Sequence, residues 1–425
     1  MGALALFFGF LIAGMPIFLV LGLTAMILFA LGGRPMIAIP QKMLDDLNGF
    51  SLMAVPFFVM AATLMQKGGI ARALIDAANA WIGGVRGGLA VVCVVATTGF
   101  AAICGSSVAT AMAMGTVLVP AMLERRYQRP FALGVVGASG TLGIIIPPSL
   151  SMIVYAIIAE ESVPRLFLAG VIPGLMQAAL FLLYVGYHVR RHDYPREPAP
   201  SRRDFWRANG RAVPALLVPG IVLGGIYGGI VTVTEAAALS AVAALAVSLF
   251  FYREIKPSAM VGVLAQAMHS AATIMLIIAT ALVFGHWITE SGAPARLVAW
   301  INGLGLSSWH FLLIINVILL VLGMFLEVVS IMLITLPLIV PVLKPLGIDP
   351  VHFGVVMTIN MELGLITPPV GLNLYVLSSI ARASIDEVVR GIVPFIGLLL
   401  LLLGLVTYIP ELSLWLPNAL IGIRR

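Results

Sequence analysis

The chain has 425 residues, of which 61% are hydrophobic and 10% charged, and its mean hydropathy is +1.11. A water-soluble core of this length cannot bury so much apolar surface, so the surplus must face lipid. The net charge of +6 is spread over short connecting stretches without any nucleic-acid-binding motif. The two cysteines, Cys93 and Cys104, have neither CxxC spacing nor neighbouring histidines, which excludes a disulfide framework and a transition-metal site.

A spanning helix needs about 20 predominantly apolar residues. The first apolar run, 4–31, has no positively charged leader and is too long for a signal-peptide core, so it reads as a retained transmembrane helix. Next come a helix at 51–67, an amphipathic stretch at 69–84, and two apolar arms at 87–123 divided by the polar break CGSSVAT. A helix at 129–160 is interrupted by Pro147 and Pro148, and a closing helix covers 164–188. The segment 190–211 is long and polar, with seven arginines against Asp193, Glu197 and Asp204; the positive-inside rule makes it cytoplasmic. An additional crossing at 212–231 leads to a second series, near 234–252, 268–288, 290–303, 306–343, 351–381 and 391–410, with Pro368 and Pro369 inside the fifth. Thr232 and Glu235 match a capping box at the start of this series. Trp287, Trp300, Trp309 and Trp415 fall near helix ends, where an aromatic belt belongs.

The two series share a register. LGIIIPPS at 142–149 resembles LGLITPPV at 363–370, and the same offset of 221 residues pairs Pro120 with Pro341, Gly143 with Gly364, Gly170 with Gly391 and Pro173 with Pro394. Shared leucines prove little, but coincident glycines and prolines are the costly residues of a helix interior and point to duplication. Because one extra crossing separates the halves, the second is expected upside down relative to the first. The expectation is an all-α polytopic membrane protein of two inverted-topology repeats, 1–189 and 212–425, joined by the cytoplasmic linker 190–211. Each repeat has a re-entrant hairpin (87–123, 306–343) and a Pro-Pro broken helix (129–160, 351–381). With that topology the inner loops hold 17 of the 24 Lys and Arg residues, as the positive-inside rule requires.

Charged residues are nearly absent from the apolar segments, so the chemistry must come from the backbone. Each Pro-Pro removes N–H donors and frees carbonyls, such as those of Gly143, Ile144 and Ile146, which in hydrocarbon must line a cavity or bind a cation. Broken helices at matched repeat positions are the strongest sequence pointer to a transporter site, with carbonyls for Na⁺ and helix N-termini for an anion. In the first hairpin Gly105 permits a tight turn, while Ser106 and Ser107 can cap the second arm or offer oxygens to an ion. At the corresponding place in the second hairpin stands Glu327, a cation ligand, a proton-linked group or a solvated loop residue. Thr110, Ser139, Asn360, Thr367 and Asn373 are further polar candidates, Ser139 and Asn360 being offset partners. Gly134, Gly137 and Gly140 form a small-residue face suited to close helix packing.

The motifs GGIAR (68–72), CGSSVAT (104–110), IIIPPS (144–149), GGIYGGIVTVTEAAA (224–238) and GIDPVHFGVVMTINMELGLITPPVGLNLYV (347–376) make the chain resemble the large, DctM-type membrane subunit of tripartite ATP-independent periplasmic (TRAP) transporters over essentially its full length. The resemblance implies a multi-pass protein of the bacterial inner membrane that imports a small organic acid with Na⁺ as coupling ion and no organic cofactor. It also implies an elevator mechanism, with hairpins and broken helices moving against a scaffold, and two partners: a small DctQ-type membrane subunit and a periplasmic DctP-type binding protein. It places one Na⁺ site around Cys104, Ser106, Gly143, Ile146 and Pro148, and another around the second hairpin with Gly364, Thr367 and Pro369; the residues of the hairpin tips add Gly105, Ser107 and Glu327 as sodium candidates. Substrate would meet Ser106, Ser107, Thr110, Ser139, Asn360 and Asn373. Cys104 departs from the serine that often begins this family's motif, so only a backbone contribution carries over there. NMELG and ELSLWLPN look most like C4-dicarboxylate members. The alternatives are a stand-alone inverted-repeat carrier and a permease of an ATP-driven system, although no Walker sequence is present; no catalytic motif supports an enzyme.

Overall fold

In the computed structural model, which describes residues 2–192, 194–196, 200–303 and 305–422, the described chain folds into helices without a strand. Asp193, Glu197, Arg424 and Arg425 lie outside the described residues. The first run is not one helix. It divides into α1 (Gly2–Ile12) and α2 (Ile17–Leu31), because Gly14 takes a left-handed φ of +77° and Pro16, which has no N–H to extend a helix, stands at the start of α2. A short α3 (Ala38–Leu47) leads to α4 (Ala54–Lys67) and the amphipathic α5 (Ile70–Ile82). Gly69, at φ +81°, makes the turn between these last two, and their axes meet at 62°.

The first hairpin is α6 (Gly88–Cys104) and α7 (Ser107–Glu124). The first broken helix is α8 (Arg129–Thr141), a tight turn at Leu142–Ile144, and α9 (Leu150–Ile158), followed by α10 (Val163–Arg191). The expected linker is helical for half its length: α11 (Arg202–Tyr227) begins within it, capped by Ser201 accepting from the Asp204 amide at 3.1 Å, and continues through Pro214 and Pro219. Residues before it are strapped to the start of α6, where Gly87 N donates to Pro195 O at 3.4 Å and Arg196 Nε to Gly84 O at 2.6 Å. Then follow α12 (Val233–Ala246), extended by a π turn at Val247–Tyr252, α13 (Pro257–Glu290), α14 (Ala293–Gly303), the second hairpin α15 (Ser308–Gly323) and α16 (Val328–Leu343), the second broken helix α17 (Pro350–Ile366) and α18 (Leu372–Ala381), α19 (Ile385–Tyr408) and α20 (Glu411–Ile421). Thr232 and Glu235 form both bonds of the capping box at the start of α12. The starts of α6 to α10, moved on by 221 residues, meet those of α15 to α19 to within one residue.

Among the described residues six helices are long and apolar enough to cross a membrane, seven if α4 and α5 count as one bent span. Large apolar side chains such as Leu183, Val242, Phe250 and Val261 are exposed on these helices, as lipid-facing positions are. The helices group into two sets. One is built from α2, α4, α5 and α11 to α13; the other packs both broken helices around α10 and α19. Within the second set α8 and α19 approach until a Cβ on Gly391 would meet Pro130 O at 1.8 Å and one on Gly134 would meet Gly391 O at 2.0 Å. Gly137 packs on Leu377 and Ile392, and Gly140 on Ala111.

Candidate functional site

Each hairpin tip docks on the break of a neighbouring helix. In the first half α6 ends at Cys104, Gly105 turns the chain at φ +64°, and Gly105 O accepts from Leu150 N, the second amide beyond Pro147-Pro148, at 3.3 Å. A Cβ on Gly105 would meet Pro148 O at 2.8 Å. Across the same gap Gly143 lies so close that a Cβ there would meet Thr110 Oγ1 at 2.6 Å and Ser106 O at 2.7 Å. Cys104, Gly105, Ser106, Thr110, Gly143 and Pro148 are thus brought into one cluster, with the Cys104 thiol beside Thr110. Thr110 Oγ1 is buried without a hydrogen-bond partner among the described residues. Ile146 joins the turn through its amide, which donates to Leu142 O at 3.1 Å.

Two details differ from the sequence-based expectation. Ser106 stands at the N-cap position of α7 but makes no side-chain capping bond. The freed carbonyl of Ile144 is not open to an ion: Ser149 Oγ donates to it at 2.6 Å and Ser151 Oγ at 3.3 Å. A chain break in an apolar interior must find donors for its carbonyls, and IPPSLS supplies them two and four residues after Pro147.

In the second half Val370 N and Gly371 N donate to Met324 O at 3.3 and 3.5 Å, and a Cβ on Gly364 would meet Gly323 backbone atoms at 2.5 to 2.7 Å. Thr367 bonds within its own helix, its amide to Gly364 O at 3.3 Å and its hydroxyl to Leu363 O at 2.6 Å. Pro369 follows in the break, and both Pro-Pro peptides are cis. Glu327 caps α16: its Oε2 accepts from Val329 N at 3.1 Å and Ser330 N at 3.4 Å. That carboxylate is directed to the helix N-terminus.

The halves meet at α7 and α18, where Asn373 Nδ2 donates to Ser107 Oγ at 2.8 Å; both residues are buried. Asn373 Oδ1 has no partner among the described residues. The Ser139 and Asn360 side chains are directed away from the tips, although Asn360 O lies 3.7 Å from where a Cβ on Gly323, at the end of α15, would stand. Ser139 is buried beside Cys93, and Asn360 Nδ2 donates to Asn316 Oδ1 at 2.8 Å and Val356 O at 3.0 Å. A cavity of about 210 Å³ borders the first tip, lined by Cys104, Gly105, Ser106 and Pro148 on one side and by Gln66, Gln266 and Ser270 of α4 and α13 on the other. Sequence reasoning missed this second wall. Its signal is weak: isolated glutamines near helix ends, where polar residues are ordinary. It also missed Glu362, which is fully buried in α17 although it stands inside the motif NMELG.

Several long apolar helices, with polar groups gathered at the two breaks, mark a polytopic membrane protein. The family profile described as "Tripartite ATP-independent periplasmic transporter, DctM component" matches residues 4–412, and the chain belongs to this family. It is 43% identical over 377 residues to the "C4-dicarboxylate TRAP transporter large permease protein DctM" of Pseudomonas aeruginosa, covering 89% of this chain and 88% of that one. It is 41% identical to the protein of the same description from Rhodobacter capsulatus, covering 97% and 98%. The "Sialic acid TRAP transporter large permease protein SiaM" of Vibrio cholerae is 33% identical over 97% of each chain. Among solved structures, the YdaH transporter of Alcanivorax borkumensis superposes with a TM-score of 0.62 over 89% of this chain and 88% of that chain at 15% identity, a likeness of fold alone.

Proposed function

We propose that the chain is the translocating subunit of a TRAP system that imports a C4-dicarboxylate across the bacterial inner membrane, driven by Na⁺. The observation that carries this reading is the docking of two hairpin tips on two proline-broken helices at repeat-equivalent places. Such breaks leave oxygens for a cation and amides for an anion inside an apolar protein. The residues at the first tip fit a hard cation, which takes oxygen ligands: Thr110 Oγ1 is a buried oxygen with no oxygen or nitrogen partner among the described residues, and Gly143 lacks the Cβ that would close the space between it and Ser106 O. Na⁺ bound there would place positive charge beside the Ser107–Asn373 contact, where the halves meet and a carboxylate would be held. At the second tip Gly364, Thr367 and Pro369 offer backbone oxygens, and Glu327 adds carboxyl oxygens nearby.

The matched helix starts and the hairpin lengths support two repeats of inverted topology. Three of the four hairpin arms, at 16 or 17 residues, would be about 24–26 Å long, short of a hydrocarbon core of about 30 Å, which favours re-entrant hairpins although α7, at 18 residues, is long enough to cross. The two helix sets suit an elevator in which the set bearing the broken helices moves against the other. C4-dicarboxylates are favoured because relatives at 41–43% identity carry that description. The family's tripartite organisation supplies the partners, a small membrane subunit and a periplasmic binding protein.

The test is uptake of radiolabelled succinate into proteoliposomes containing this chain with both partners. Uptake requiring an inward Na⁺ gradient and the binding protein is expected. Equal uptake without the gradient would overturn the coupling, and equal uptake without the binding protein would make the chain a stand-alone carrier.

A further inference from the structure

The cavity at the first tip has a second wall, built by helices of the other set, to which the transport reading gives no task. On α13, Gln266, Ser270 and Ile274 line the cavity, and their spacing of four residues puts them on one stripe of the helix. On α4, Val59, Thr63 and Gln66 do the same. The Thr63 hydroxyl is spent on Val59 O at 2.8 Å, which leaves the two glutamines and Ser270 as the polar groups of this wall.

Glutamines near helix ends are ordinary, but a bond between helices sets one of these apart. Lys67, the last residue of α4, donates from Nζ to Gln266 Oε1, 199 residues away in sequence. A lysine in that place complements the dipole of its own helix, a role that needs no partner on α13. Because an ammonium only donates, the bond takes the oxygen of the Gln266 amide and leaves both Nε2 hydrogens for another acceptor. No carboxylate neutralises Lys67. Glu254 packs on Gly69 at the end of α4, yet it forms no ion pair with Lys67 among the described residues.

The opposite wall also offers donors. Helix α7 begins at Ser107 without a side-chain cap, so the amides of its first turn are open to an acceptor, and Gly105, Ser106 and Ala109 line the cavity around them. No acidic side chain lines this space of about 210 Å³, and Phe58, Val59, Ile103 and Ile274 complete its lining with carbon. A monocarboxylate can satisfy one wall. A short dicarboxylate can satisfy both, with its carbon chain against the apolar lining.

We propose that Lys67 and Gln266, with Gln66, form a carboxylate subsite on the wall made by α4 and α13, taking the second carboxylate of a dicarboxylate whose first is held at the hairpin tip. The subsite rests on the transport reading above and adds to it the residues that tell two carboxylates from one. The end of α4 and the start of α13 are placed at the cytoplasmic face by the positive-inside rule, so substrate meets the subsite on the side of release.

Protection of Cys104, which lines the same cavity, reads its occupancy in the full chain in lipid nanodiscs with Na⁺ present. The concentration of succinate that halves labelling by a small water-soluble thiol reagent is compared with that of butyrate, a four-carbon acid with one carboxylate. In the wild type succinate should protect at a concentration lower by about tenfold or more, the worth of one hydrogen bond to a charged group. Lys67→Gln and Gln266→Leu should each remove most of that advantage and leave butyrate unchanged, and Lys67→Arg should keep it, a pattern that general loss of structure would not give. Equal protection by the two acids in the wild type would overturn the subsite alone. So would an unchanged ratio in Lys67→Gln, or in Gln266→Leu should the first variant not fold. If neither acid protects the wild type, carboxylate does not bind at the first tip, and that part of the transport reading falls together with the subsite.

Discussion

At Gly143 a single added carbon tests the first tip. In Gly143→Ala the Cβ would sit 2.6 Å from Thr110 Oγ1 and 2.7 Å from Ser106 O, inside contact distance, so the tip must move away from the break. Since the displaced oxygens are the proposed cation ligands, the concentration of Na⁺ giving half-maximal uptake should rise about tenfold or more, equivalent to at least about 1.4 kcal/mol of binding. The check is a sodium titration of uptake at saturating substrate; an unchanged midpoint would remove Gly143 and its neighbours from the site. A second residue-scale prediction concerns the Ser107–Asn373 bond. Ser107→Ala and Asn373→Ala should be non-additive by about 1 kcal/mol in a double-mutant cycle on substrate affinity, since the two buried groups bond each other. Much of this cluster can be read from sequence, because Gly, Pro and Ser are the residues a helix break demands. Glu362 cannot be read as buried, since hydropathy sees one acid among apolar neighbours and not the Thr141 and Gln177 that other helices bring to it.

Elements were most readable where punctuation is strong. Gly105 and the two Pro-Pro pairs mark the hairpin tip and breaks, and the constant offset fixes the second half from the first. Where punctuation misled, the reason is tertiary. Segment 202–211 reads as linker because it is rich in arginine, yet it is helical: Ser201 caps it and Trp81 Nε1 donates to Asn209 Oδ1 at 2.7 Å, anchoring its polar first turns on α5. The break between α1 and α2 and the short α20 were missed because apolar flanks conceal a turn from hydropathy. The small-residue face gives a prediction at this scale. Gly391→Ala would thrust a Cβ to 1.8 Å from Pro130 O, a backbone atom that cannot swing aside as a side chain can. The α8–α19 crossing must separate, and overpacking of this kind costs about 1–3 kcal/mol or more. A lower melting temperature and reduced recovery of folded protein are expected. Gly397→Ala, on the same helix with open space around it, should melt as the wild type does; equal melting of all three would show that the crossing is not tight.

For the whole molecule the proposed cycle requires the cavity between the two helix sets to open and close, and the native cysteines can report it without engineering. Cys93 is at 0% exposure in the middle of α6, and Cys104, at 5%, lines the cavity at the tip. A small water-soluble thiol reagent should therefore modify Cys104 and spare Cys93, and Cys104→Ala should abolish labelling where Cys93→Ala does not. If a cation settles between Ser106, Thr110 and Gly143, it draws the tip onto the break and narrows the path to the thiol. Adding Na⁺ should then slow labelling of Cys104, with choline at the same ionic strength as the control. Gly143→Ala should lose that protection and label at least as fast as the wild type does without Na⁺, because its tip is already displaced. Labelling that is equally fast in Na⁺ and choline would separate the first tip from cation binding and shift the proposed coupling-ion site to the second hairpin, around Gly364 and Thr367.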